Sequence, residues 1–192
     1  MGDVVQVVLG GTPNKQKQDY WEGGTIPWMS SGEVNKKTVY ETEGFITQKG
    51  YDNSSATMVP AESTVIALAG QGKTRGMVAR IKIPLSTNQS LATLIPNEGL
   101  LNDFLYYYLQ GEYLRLRDVS SGDGSRGGLN KEILKKYPIL IPSLHIQAHI
   151  VGILDQFEAL VHDLSQGLPK EIALRQDQYE YYRDRLLDFP RP

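Results

Sequence analysis

Between Ile146 and Phe189 apolar residues recur at helical spacing, and no other feature of the sequence limits the fold as strongly. Ile146, Ile150, Ile153, Phe157, Leu160 and Leu164 alternate steps of four and three, the pattern of a coiled-coil seam. The stripe resumes after Leu168 at Ile172, passes Arg175, and continues through Tyr179, Tyr182, Leu186 and Phe189. Around Leu168 the steps are four and four, a stutter, and Gly167-Leu168-Pro169 interrupts the helix at that point. Pro169 suits the first turn of a second helix, and Glu171 suits its positive end. Two helices following Ser143, bent or nearly collinear, are therefore expected. A lone helix cannot bury such a stripe in water, so a partner helix is expected too. Ile150, Phe157, Leu164, Ile172, Arg175, Tyr179, Tyr182 and Leu186 are the candidate interface, most simply in a homodimer through these C-terminal helices. Arg175, polar within the seam, would pair with an acid across the interface and set its register.

Residues 1–142 have a different texture. Asp3–Leu9 reads as a strand, broken by Gly10-Gly11-Thr12-Pro13. A polar loop with Lys15, Lys17 and Tyr20-Trp21 follows, and then the short apolar run Ile26–Met29. From residue 56 onward four β-like runs (ATMVP, STVIALA, GMVARIKI, LATLIP) are bounded by Pro, Gly, Ser or Asn. Asn102 is placed to cap a helix that runs through Leu116. The glycine-rich stretch Ser120–Gly128 is a loop. A short helix over 130–136 and a strand over Pro138–Pro142 complete the segment. The expected fold class is α+β: a mixed, β-rich domain over 1–142 and a long-helix coiled-coil region over 143–192.

Composition excludes several function classes. The absence of cysteine removes disulfides and thiolate metal sites. No apolar run reaches the length of a membrane span, and a soluble, cytoplasmic protein is expected. The net charge of −2 is unevenly spread: residues 1–142 hold 15 Lys+Arg against 14 Asp+Glu, and residues 143–192 hold 5 against 8. Between Gly70 and Ser90 lie Lys73, Arg75, Arg80 and Lys82 without an anion, a candidate basic patch.

Catalytic motifs are weak throughout. Ala67–Thr74 resembles a phosphate-binding loop, but Arg75–Ile81 alternates like a strand where that loop requires a helix N-terminus. His145 and His149 lack the glutamate that would follow the first histidine of a zinc protease helix. Tyr108, Tyr179 and Tyr182 lie on apolar stripes and read as packing rather than as stacking platforms for bases. No catalytic residue, metal ligand or cofactor is assigned. The loop side chains suit nucleic acid better. Gln71, Lys73 and Arg75 in one loop, and Ser125 and Arg126 in another, can reach bases and phosphates, and Lys15 and Lys17 can reach phosphates.

Several segments, in order, resemble the specificity subunits of type I restriction-modification systems. They are Leu9-Gly10-Gly11-Thr12-Pro13, then Tyr20-Trp21 with Gly24 and Ile26-Pro27-Trp28, then Thr87-Asn88-Gln89. Pro142 with Gln147, Ile150-Val151 and Leu154-Asp155 follows, and Leu168-Pro169 with Glu171-Ile172, Arg175, Gln178-Tyr179 and Tyr181-Tyr182-Arg183 completes the set. Such a subunit carries two target recognition domains and two helical regions in tandem, so this chain, with one of each, looks like a half-subunit. The resemblance implies that the recognition domain reads one half of a bipartite site on double-stranded DNA. It implies that the helices pair antiparallel, set the spacing between halves and dock the methyltransferase subunits, with the restriction subunit joining through the complex. S-adenosylmethionine and ATP would belong to those partners, leaving this chain non-catalytic. Gly10, Gly11, Pro13, Trp28 and Asn88 match the family but are expected to hold the fold. Two other classes stay open on the residues alone: a protein-interaction module that never touches DNA, and a nucleotide-binding enzyme using the 67–74 loop.

Overall fold

The computed structural model describes residues 1–70, 74–120, 128–164 and 169–189, without the side chains of 162–164, 169, 170 and 172. In chain order the elements are β1 (Val5–Leu9), β2 (Ile26–Met29), β3 (Thr38–Val39), β4 (Gly44–Ile46), α1 (Gln48–Asp52), β5 (Met58–Val59), β6 (Ser63–Ala67), β7 (Val78–Ile81), β8 (Leu85–Thr87) and β9 (Leu91–Pro96). The helices α2 (Asn102–Gly111), α3 (Tyr113–Ser120), α4 (Lys131–Lys136), α5 (Leu144–Leu164) and α6 (Pro169–Leu186) follow. The strands form a five-stranded sheet in the order β1-β9-β6-β7-β3 and a four-stranded sheet in the order β4-β2-β8-β5. Apart from the short α1, the strands precede the helices, all in one packed unit, which is the α+β class.

Sequence texture explains the strand order. Every residue of β6 is buried, as a strand covered on both faces requires, and β6 sits between β9 and β7. In β1, Val5 and Val7 are buried while Gln6 is exposed, as suits an edge strand with one wet face. One apolar cluster lies between the large sheet and the helices, joining Val5, Val7, Ile66 and Leu94 to Phe104–Leu109, Leu134, Ile150, Leu154 and Tyr179. A second fills the space between the two sheets with Met29, Val39, Val65, Ala79, Ile81, Leu85 and Leu91.

Phe104 to Leu109 of α2 are all buried, so this helix is apolar all round and lies inside the molecule. Tyr106, Tyr107 and Tyr108 are therefore core residues and present no face to a base. Two local expectations change here. Asn102 is not the cap but the first helical residue; Leu101 is the cap, and its N–H donates to Gln147 Oε1 at 2.8 Å. Asn102 Oδ1 instead accepts the Thr64 hydroxyl at 2.7 Å, which turns the asparagine toward the sheet. The helix also stops at Gly111 and restarts as α3 rather than continuing unbroken.

The expected strand over Pro138–Pro142 does not form. Its two prolines lack the N–H that a ladder needs, and the Pro142 carbonyl accepts instead from the Gln147 side chain at 2.8 Å.

The tail departs most from expectation. Helices α5 and α6 are not collinear: α6 packs back on α5, with Phe157 and Tyr182 stacked at a centroid distance of 5.4 Å. Both helices also pack on the body. Ile150 and Leu154 from α5 and Tyr179 from α6 enter the same core as α2, and Leu186, Leu187 and Phe189 border it. The stripe divides because the apolar body offers α5 a surface at hand, so part of the seam, Ile150 and Tyr179 most fully, is buried within the chain.

Candidate nucleic-acid interface

Strand pairing brings four connections to one end of the large sheet. Leu9, the last residue of β1, pairs with Ala92 near the start of β9, and Ala67, the last of β6, pairs with Leu91. Ile66 pairs with Val78, the first residue of β7. The loop after β1, the turn before β9 and the β6–β7 connection therefore emerge side by side. Backbone bonds join them: Gly10 N–H donates to Leu91 O, and Leu68 N–H to Ser90 O. The fourth segment arrives through Leu129, whose N–H donates to Leu68 O at 3.0 Å.

Gly10 and Gly11 make this crowding possible. A side chain at Gly10 would collide with the backbone of Thr87 and Asn88, and one at Gly11 with the backbone of Ser55. Trp28 Nε1 donates to Gly11 O at 3.0 Å, and Asn88 Oδ1 accepts from Ser90 N in a local turn. These motif residues hold the roots of the loops.

The candidate contact residues fall as follows. Lys15 and Lys17 are exposed in the loop after β1; Lys17 Nζ lies 3.0 Å from the Tyr20 hydroxyl and over its ring. Arg75 is half-buried and donates from Nη1 to Ser120 Oγ at 3.1 Å. Gln71, Lys73, Ser125 and Arg126 lie outside the described residues. The segments 10–18, 68–77, 88–90 and 120–129 together hold five cations (Lys15, Lys17, Lys73, Arg75, Arg126) and one anion, Asp123.

The expected patch between Gly70 and Ser90 is smaller than its sequence, because Arg80 and Lys82 point elsewhere. Arg80 is at the far end of β7, where its guanidinium meets Asp103 of α2 at 3.2 Å and Asp155 and Glu158 of α5 at 3.3 and 2.8 Å. Its Nε donates to Thr38 Oγ1 at 2.9 Å, and the rings of Tyr106 and Tyr107 lie against it. Burial works against the Arg80 charge, but Tyr107, Glu158 and Asp103 outweigh it and raise the pKa. The Tyr107 hydroxyl donates to Asp155 at 2.6 Å and to Glu158 at 2.9 Å; burial first, and then these carboxylates, push its pKa up. Lys82 pairs with Glu62 at 2.7 Å and Asp103 at 3.5 Å. These two cations fasten the body to α2 and α5. Sequence reading missed this joint, since the acids come from three separate segments.

Gln147 is a second joint. Fully buried, it donates to the carbonyls of Gly99 and Pro142 and accepts from Leu101 N–H. Its place in the family-like motif was the signal for it.

The candidate interface residues also divide. Ile150 and Tyr179 are buried in the chain's own core, Phe157 and Leu186 are half-buried against it, and Tyr182 is 39% exposed beside Phe157. Arg175 is half-buried and donates to Gln178 on its own helix at 3.1 Å. The side chains of Leu164 and Ile172 lie outside the described set. Ile146, Leu160, Leu174 and Tyr181 stay exposed.

Other chemistry finds little support. The strand β7 follows the 67–74 loop where a phosphate cradle needs a helix. His145 and His149 are exposed, and no cluster suited to a metal ion occurs among the described residues. No helix among them is long and apolar enough to cross a membrane.

The fold is that of solved type I specificity subunits. A chain from a study of complex assembly and conformational transition in a type I restriction-modification system superposes with a TM-score of 0.67 at 21% identity, over 97% of this chain and 44% of that one. The HsdS subunit from Thermoanaerobacter tengcongensis gives a TM-score of 0.62 at 18% identity, over 97% and 42%. In sequence, the specificity subunit of the type I restriction enzyme EcoR124I/EcoR124II of Escherichia coli is 36% identical over all of this chain and 48% of its own length. The MjaIX specificity subunit of Methanocaldococcus jannaschii is 30% identical, over 97% of this chain and 43% of its own length. Residues 1–174 match the model of the type I restriction modification DNA specificity domain, and the chain belongs to that family. It spans about half the length of the curated relatives it matches.

Proposed function

We propose that residues 1–142 read one half of a bipartite site on double-stranded DNA, and that residues 143–192 join this reader to a second one and to type I methyltransferase subunits. The observation that carries the proposal is charge placement. A chain of net charge −2 gathers five cations against one anion in the segments rooted at one end of its large sheet. That concentration of cations in a few segments of the sequence supplies the local positive charge a DNA reader needs, whatever its total charge. Lys15 and Lys17 would take phosphates, and Gln71, Lys73, Ser125 and Arg126 supply the loop chemistry that meets bases and backbone, with Arg75 at the root of the same loop as Gln71 and Lys73.

For assembly, the apolar residues left exposed or half-exposed on the two tail helices form the proposed homodimer surface. Ile146, Ile153 and Leu160 stand seven residues apart on α5, as do Leu174 and Tyr181 on α6. A twofold pair through these faces would hold two readers at a fixed separation and select an interrupted palindrome. The chain supplies recognition alone. The methyltransferase partner brings S-adenosylmethionine, and the restriction subunit, joined through the complex, brings ATP. The cytoplasm, where such complexes meet the chromosome, is the proposed compartment.

A mobility-shift series with random-sequence duplex at rising salt tests the DNA claim. Binding that weakens linearly in log salt with a slope of several phosphates is expected. An affinity that does not change with salt would turn the assignment toward a protein-interaction module.

A further inference from the structure

Arg75 has the chemistry of a DNA contact and the geometry of a brace. A guanidinium reads guanine with two nitrogens of its fork, held parallel toward O6 and N7. In Arg75, Nη1 is engaged by Ser120 at 3.1 Å, and Nε is buried with no hydrogen-bond partner. Burial closes Nε to a bidentate contact, and Nη1 already gives one of its two N–H groups to Ser120.

The other end of the same bond is equally constrained. Ser120 is the last residue of α3 and is 2% exposed. Its hydroxyl donates to Arg117 O at 2.6 Å, which leaves its lone pairs for Arg75. Ser120 cannot touch a ligand; it holds Arg75.

Arg75 and Ser120 also occupy opposite roots of two loops. The β6–β7 connection begins at Leu68 and ends near Arg75, and the α3–α4 connection begins at Ser120 and ends near Leu129. Leu68 O accepts from Leu129 N–H, joining the first root of one loop to the last root of the other. Arg75 and Ser120 join the remaining two roots. Around them, Gly76 N–H donates to Ala67 O, closing the base of the β6–β7 connection at 2.9 Å.

We infer that Arg75 is a positioning residue for DNA recognition: with Ser120 it ties the 68–77 and 120–129 loops into one frame, instead of contacting DNA itself. The inference rests on the proposed DNA-reading function and names how that site is held together. Roots tied to each other hold the strand and helix ends that frame the loops before the ligand arrives, so less conformational freedom is lost on binding. The gain appears in discrimination between sequences, because only the correct site uses the full loop geometry.

The test removes the bond from either end. Arg75→Ala, Ser120→Ala, the double variant and Ser120→Thr are compared with the unaltered chain on two probes, a duplex carrying the methylated motif found in cells and a random-sequence duplex. Each single Ala variant is expected to weaken motif binding about ten-fold, the double variant no further, and random-duplex binding to stay within about two-fold. Ser120→Thr keeps the hydroxyl and is expected to bind like the unaltered chain. Motif binding that falls for Arg75→Ala but not for Ser120→Ala would make Arg75 a direct contact and overturn the inference. Amide exchange supplies a readout independent of DNA. Ser120→Ala is expected to speed exchange across 68–77, and Arg75→Ala across 120–129, each in the loop that was not altered. Unchanged exchange in both would overturn the frame even if DNA binding persists. Equal affinity of the unaltered chain for the two probes, with the exchange effects intact, would instead remove the DNA-reading proposal and leave the frame standing.

Discussion

Phe157 of α5 and Tyr182 of α6 stack with their ring planes 15° apart, and this contact ties the second tail helix to the first. Both residues belong to the stripe that, in the sequence, calls for a second polypeptide. Part of that need is met within the chain. Phe157→Ala is expected to destabilise the protein by about 2 kcal/mol, less than a fully buried phenylalanine because the ring is half-buried. A double-mutant cycle with Tyr182→Ala is expected to show a coupling of about 0.5–1.5 kcal/mol, read from urea midpoints. Additive effects would mean that the tail helices do not pack together in solution.

Arg80 joins three carboxylates from two helices. Replacing it by methionine keeps much of the packing but leaves Asp103, Asp155 and Glu158 facing one another, at an expected loss of about 2 kcal/mol after allowing for the exposure of the acids. The partners are unequal. Glu158 has a side chain 15% exposed, against 48% for Asp155. Asp155→Asn is therefore expected to cost less than about 1 kcal/mol, and Glu158→Gln more than Asp155→Asn. Equal losses in thermal or urea unfolding would contradict the geometry of the joint.

Five of the eleven tyrosines (Tyr106, Tyr107, Tyr108, Tyr137 and Tyr179) have pKa values raised above the ordinary phenol value, with burial the largest cause in each. In Tyr137 the hydroxyl also donates to the buried Glu112 at 2.5 Å. A phenol whose folded pKa is raised is held neutral in the native state. The stability linked to it is complete below the unfolded value of about 10 and is lost as pH rises beyond that. Phenolate absorbance of the native chain is expected to lag that of the urea-unfolded chain above pH ~10, and the missing amplitude to appear only on alkaline unfolding. Superimposable titrations would show these tyrosines to be accessible.

The proposed dimer face can be altered without touching the core. Ile153 is half-buried and lies between the exposed Ile146 and Leu160 along α5. Ile153→Asp is expected to convert the dimer to monomer in sedimentation equilibrium while the urea midpoint of a dilute sample shifts little. An unchanged mass would remove the homodimer from the proposal and leave DNA reading by a single body.

Some of this architecture was legible in the sequence, and the limits are physical. The strands β6, β7 and β9 stood out because β-like runs, alternating in β7 and more continuously apolar in β6 and β9, were bounded by turn residues. The short helix expected over 130–136 is α4, and in it the Asn130 side chain accepts from Ile133 N–H at 2.9 Å. The helical character of the tail was equally clear, but spacing alone cannot say which surface a stripe meets. Ile146 and Ile150 share one stripe, yet the first is 45% exposed and the second 4%. Arg80 and Lys82 looked like part of a basic patch because charge is visible in sequence, whereas the acids that engage them are distant in the chain. Arg75, from the same run, does reach the loop end, and only its bond to Ser120 reveals how it is held.

In the proposed function, loops at one end of the large sheet read a half-site, and two such readers act at fixed separation. Sequencing of methylated adenines in cells that express this chain with a type I methyltransferase partner tests it most directly. A single interrupted motif with two short specific halves and a spacer of constant length is expected, lost when Gln71, Lys73 and Arg126 are replaced together by alanine. Methylation that follows no motif, or a motif unaltered by that triple replacement, would contradict it.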